Sequence, residues 1–176
     1  MKPIGINTWL RYLSINEKPN MSQLYSFIFH YLEENKLKIF RWKLLQYIIP
    51  TKKLLMKWRI AINIQCNFCG QDEDYLHYFI SCPYLKEFWV KIQQILKKSN
   101  IEHFVTLKHI VFGYKIFYFN YILTILGFSI YKAYYVSGKI KGVERFLQHI
   151  CATCYREDNK KVFHPECSDN CPHQHN

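Results

Sequence analysis

The chain predicts a mainly α-helical protein: a small helical domain built around a knuckle of three cysteines and one histidine, followed by a helical C-terminal segment. Three observations lead there. Apolar residues recur at three- and four-residue intervals through most of the chain. Glycine and proline are scarce, six of each, which argues against a turn-rich all-β protein. Cys66, Cys69, His77 and Cys82 fall within one short stretch as C-x2-C-x7-H-x4-C. Of 176 residues, 49% are hydrophobic and 18% aromatic, so the chain can bury a core and is not disordered.

The elements follow in order. Residues 1–20, with Pro3, Gly5, Pro19 and Asn20, read as a loosely ordered lead-in. Residues 21–98 form the helical domain. Within it, 21–34 is helical, with Leu24, Phe27, Ile28 and Tyr31 on one side. Two short helices come next. Leu37, Phe40, Leu44 and Ile48 mark the first; Leu54, Leu55 and Trp58 mark the second. Ile49-Pro50-Thr51 breaks the pattern, and Thr51 is placed to N-cap the second helix. After the knuckle, 83–98 is the clearest amphipathic helix, with Leu85, Phe88, Trp89, Ile92, Ile95 and Leu96 on one face. Residues 99–150 form the helical C-terminal segment, opened by a helix near Thr106 and interrupted at Gly113. Its stretch 116–131 carries no charge, but a membrane span needs about 20 apolar residues. Extending the window brings in Lys115 and Lys132, so a buried helix is the reading. Residues 151–176 are a Cys/His-rich tail.

Thiolate and imidazole ligands at this spacing suit one tetrahedral zinc ion, Zn2+. A closed site of three Cys and one His leaves no position for a substrate, so the metal is structural. Gly70 lets the backbone curl around the metal, and Pro83 starts a helix whose positive end favours a thiolate at Cys82. Seven cysteines is an odd number and no targeting peptide is read, which disfavours a disulfide framework. A second candidate set, Cys151, Cys154, His164 and Cys167, lies in the tail, where Cys171 and His173 compete with it; a flexible tail is the plain alternative.

The net charge is +11, which points to an acidic partner, nucleic acid first. From Lys36 to Arg59 the bases Lys36, Lys38, Arg41, Lys43, Lys52, Lys53, Lys57 and Arg59 occur without one carboxylate. They predict a basic outer face on the two short helices, with Arg41, Lys43, Lys52, Lys53, Lys57 and Arg59 as candidate phosphate contacts. Trp42 and Trp58 are each expected in the core. Catalysis finds no support: there is no Gly-rich phosphate loop, no G-x-S-x-G and no H-E-x-x-H. Glu33 and Glu34 read as helix surface, and Asp72, Glu73 and Asp74 as solvating the metal loop.

The run FRWKLLQYIIPTKKLLMKWRIAINIQCNFCGQDEDYLHYFISCPYLKEFWVKI resembles the zinc-binding domain that follows the polymerase in LINE-type non-LTR retrotransposon reverse transcriptases. The shared features are the Pro50-Thr51 turn, the Lys57-Trp58-Arg59 stretch, the ligand pattern ending in Cys82-Pro83, and Trp89 in the next helix. VFGYKI and NYILTILGFSIYKAYY are similar to the helical segment downstream. The likeness covers roughly 22–148 and is specific over 40–89. It implies a zinc-binding, non-enzymatic module that contacts template RNA or target DNA in the nucleus or cytoplasm, without a small-molecule substrate or a membrane. No Y-x-D-D or other Asp-Asp pair occurs, so the polymerase module is not read here. The alternative is a zinc-stabilised scaffold for a partner protein.

Overall fold

The computed structural model describes residues 5–98, 104–114 and 117–134. The architecture there is helical: α1 (Gly5–Tyr12), α2 (Met21–Ser26), α3 (Asn35–Leu45), α4 (Lys52–Lys57), α5 (Lys86–Lys98), α6 (Leu107–Phe112) and α7 (Phe117–Lys132). Two wide turns, Phe27–Tyr31 and His77–Ser81, have backbone bonds spanning five residues, and a 3-10 turn at Pro83–Leu85 leads into α5. The described residues show no β-strand beyond one isolated bridge between Gln65 and Asp72.

α3 is the central beam. Its stripe of Leu37, Phe40, Leu44 and Leu45 is buried against α7, α6 and the turn after α2. Phe40 joins three elements: its ring lies 5.7 Å from Phe128 and 5.5 Å from Tyr131 on α7, and 6.4 Å from Phe79 in the second wide turn. α7 buries Phe119, Ile122, Leu123, Leu126 and Ile130, as the uncharged run predicts for a core helix. Among the described residues no helix is long and apolar enough to cross a membrane. Asn120, polar within this run, holds the preceding turn by donating to the Tyr114 carbonyl at 2.9 Å. One continuous apolar cluster runs from α1 to α7, so the metal knuckle and the C-terminal helices share a core.

The lead-in departs from expectation. Residues 5–12 are helical, and Trp9 is fully buried. Its indole N–H donates to the Leu44 carbonyl at 2.7 Å, satisfying a carbonyl at the end of α3. Its ring meets Tyr47 and Tyr75, each at 4.7 Å. Gly5 is needed for this approach: a Cβ there would lie 2.2 Å from the Gln46 carbonyl carbon. Proline and glycine at the ends of the segment hid an anchoring helix between them.

Caps set the short helices. Thr51 Oγ1 accepts the Leu54 N–H at 3.3 Å, as its position predicts. Thr106 and His109 form a reciprocal capping box on α6. The buried Arg41 guanidinium reaches from α3 to the carbonyl of Ile110 near the end of α6.

Candidate metal centre

The knuckle is built from its backbone. The Cys66 N–H donates to the Gln71 carbonyl at 2.8 Å, and the Gly70 N–H returns to the Cys66 carbonyl at 2.9 Å. These bonds close a loop that presents Cys66 and Cys69 to one point. The Phe68 N–H, inside the loop, points at Cys66 Sγ from 3.5 Å. Gly70 completes the loop with φ of +75°, a conformation that a side chain would strain.

The other two ligands come from the second wide turn. Asp74 caps it: a carboxylate oxygen accepts the His77 N–H at 2.9 Å, and the Asp74 carbonyl accepts from Tyr78 at 2.8 Å. The Cys82 N–H then donates to the His77 carbonyl at 3.1 Å, so the turn ties ligand to ligand. Cys82 leaves in an extended conformation and Pro83 opens the next turn.

The four ligand atoms lie within 4.8 Å of one another. Cys66 Sγ is 3.9 Å from Cys82 Sγ, Cys69 Sγ is 3.8 Å from Cys82 Sγ, and Cys69 Sγ is 3.3 Å from His77 Nε2. A tetrahedron with metal–sulfur bonds of about 2.3 Å has sulfur–sulfur edges of about 3.8 Å. The same distances are far too long for a disulfide of about 2.05 Å. The donor set and its spacing therefore fit a single tetrahedral metal ion with no open position. Burial pushes the Cys66 thiol up to about 11, offset in part by the amides of Phe68 and Cys69. Burial also holds the His77 imidazole below its usual value, which keeps it neutral and able to ligate.

The acidic segment does more than solvate the loop. Glu73 is buried, and its carboxylate accepts the Lys52 N–H at 2.8 Å, at the positive end of α4. The Lys53 N–H donates to the Glu73 carbonyl at 3.0 Å. Glu73 thus fixes α4 to the metal loop, while burial raises its carboxyl above the usual range. The Tyr12 hydroxyl accepts the Leu76 N–H at 3.2 Å, linking α1 to the His77 turn. Asp74 three residues before His77 is a readable cap signal; the burial of Glu73 has none in the local sequence.

Tyr134, just beyond α7, also reaches the centre. Its hydroxyl is 3.7 Å from Cys66 Sγ, and its ring stacks on Tyr78 at 4.2 Å. Nothing local in the sequence marks it.

The basic residues divide. Arg41, expected on the outer face, is fully buried; position 41 shares the stripe of 37, 40, 44 and 45, and spacing prevails over charge. Beyond its bond to Ile110, its Nε and Nη2 have no hydrogen-bond partner among the described residues. It lies over the Phe27 ring, and burial lowers its guanidinium to about 10, so it keeps its charge. Lys43 and Lys52 are half-buried, and Lys53 is exposed and paired with Asp74 at 3.9 Å. Lys57 and Arg59 are exposed, with no ion pair among the described residues. Trp42 and Trp58 are also exposed, against expectation, at 46% and 44%. Trp42 faces away from the α3 stripe, and Trp58 falls at the C-cap of the six-residue α4, past its buried turn. The tail set Cys151, Cys154, His164 and Cys167 lies outside the described residues.

No curated protein and no solved structure matches the chain. A family model described as zinc-binding in reverse transcriptase matches residues 8–89, which run from within α1 to the start of α5 and include all four candidate ligands. That family is an accessory zinc-binding domain rather than the catalytic polymerase domain. With a closed Cys3His cluster inside the match, residues 8–89 are similar to the zinc-binding domain of reverse transcriptases.

Proposed function

We propose that the chain is a zinc-stabilised nucleic-acid-binding module without polymerase activity of its own. Zinc at Cys66, Cys69, His77 and Cys82 orders the loop, and Glu73 and Asp74 transmit that order to α4 and its exit. The observation that carries the reading is the segment Lys57-Trp58-Arg59. Two exposed cations, without carboxylate partners among the described residues, flank an exposed indole at the end of a helix fixed to the metal loop. Cations so placed neutralise phosphates, and an indole face stacks on any unpaired base, which suits single-stranded RNA or DNA. Lys43, Lys52 and Lys53 extend the positive field around this point, and Arg41 does not take part.

The experiment is anisotropy titration of zinc-loaded full chain with single-stranded RNA and DNA over a series of salt concentrations. Lys52→Glu with Lys57→Glu and Arg59→Glu should weaken binding and flatten log K against log salt by about one to three units of slope. An unchanged slope places the contact elsewhere.

Ile60 and Ile62, 68% and 96% exposed, favour a second reading in which this segment docks a partner protein. Retention of a protein in place of nucleic acid on the immobilised chain, lost on Ile60→Ser with Ile62→Ser, would select it.

A further inference from the structure

A zinc ion held by three thiolates and one neutral imidazole leaves one net negative charge in a buried place. Such a charge needs hydrogen-bond donors aimed at the sulfurs. The knuckle loop supplies backbone amides to Cys66. Tyr134 supplies a hydroxyl. It stands 3.7 Å from Cys66 Sγ. Once a metal has displaced the thiol protons, the phenol is the partner that carries hydrogen.

The ring is held by residues adjoining the ligands. It stacks on Tyr78, next to His77, at 4.2 Å. It meets the edge of Phe68, between Cys66 and Cys69, at 4.7 Å, and Phe68 stacks on Tyr84 at 4.6 Å. These aromatic faces cover the sulfurs from the side of α7. Tyr134 lies well outside the 8–89 match, so the covering group comes from the C-terminal segment.

We propose that Tyr134 donates its hydroxyl hydrogen to the metal-bound thiolate of Cys66 and thereby makes the end of α7 part of the metal centre. Residues 117–134 then seat on the knuckle when the metal is present and slow its escape. Loss of metal frees the end of α7, and loss of the hydroxyl loosens the metal. This rests on metal binding by the four ligands, and the test separates the two claims.

The full chain is loaded with Co2+, whose sulfur-to-metal charge-transfer absorption reports on thiolate hydrogen bonds, and separately with Zn2+. Tyr134→Phe keeps the ring and removes the donor. The expected result is a shift of that absorption to lower energy and about tenfold faster transfer of zinc to a chromophoric chelator. Tyr134→Leu, which also removes the ring, should release zinc faster still. A purely packing role would leave Tyr134→Phe with the parent spectrum and release rate, and that result overturns the inference. If the unaltered chain takes up neither Co2+ nor Zn2+, the metal-binding reading beneath it falls first.

Discussion

Asp74 is the point where α1, α4 and the ligand turn meet, and Asp74→Ala tests that junction. Its carboxylate accepts the His77 N–H at 2.9 Å and faces Lys53 at 3.9 Å, and nearby Leu76 donates to the Tyr12 hydroxyl of α1. The loss of an N-cap costs about 1 kcal/mol. The Lys53 pair, with side chains 57% and 30% exposed, contributes a few tenths of a kcal/mol at most. The sum is about 1 to 1.5 kcal/mol, equivalent to a fall in Tm of about 2–6 °C for a chain of this size. Asp74→Asn keeps an acceptor for the cap and should recover about half of that. Asp74 also orients the backbone of a ligand, so Asp74→Ala should weaken zinc about tenfold in chelator competition, a readout that a remote cap would not move. Thermal melts of zinc-loaded protein and the competition assay check both. A change below about 0.5 kcal/mol with unaltered zinc affinity would refute the reasoning.

Two further outcomes follow from burial. With Cys66 pushed up to about 11, the empty site holds a protonated thiol at neutral pH, so zinc must expel it. Zinc affinity should therefore fall by about tenfold per pH unit for each proton displaced as pH drops from 8 to 6, measured by competition at fixed ionic strength. In the metal-free protein, the depressed His77 contributes stability that is present above about 6.5 and lost as pH falls toward its folded value, because the unfolded chain takes the proton first; urea melts across that range check it. The third outcome concerns Arg41→Met: with two buried nitrogens lacking hydrogen-bond partners among the described residues, the change should cost no more than about 1 kcal/mol and leave nucleic-acid affinity unaltered. A loss of binding at constant fold would return Arg41 to the interface.

Sequence and structure agree wherever the cause is local. Thr51 caps α4, 83–98 is helical, and the uncharged run is a buried helix, each readable from capping or periodicity over a few residues. The cluster of Cys66, Cys69, His77 and Cys82 is legible because three thiols and an imidazole at such short spacing suit little but a metal ion. Sequence and structure part where a residue's type opposes its position. Arg41 sits on an apolar stripe, and its charge points outward on paper; Trp42 and Trp58 are apolar, and their type points inward. Glu73, Trp9 and Tyr134 meet their partners across 21, 35 and 68 residues of chain, which no local pattern reports.

The wide turn at His77–Ser81 makes length itself a ligand-setting quantity. In a regular α-helix, residues five apart point about 140° away from each other. The five-residue backbone bond from Cys82 to His77 admits one extra residue per turn, and this brings the His77 and Cys82 donor atoms round to a common point. The stretch between them acts as a ruler. Apolar exchanges at Ile80 or a polar change at Ser81 leave its span intact. Removing a single residue would tighten the turn by one step and swing Cys82 off the metal, with every ligand still present in the chain.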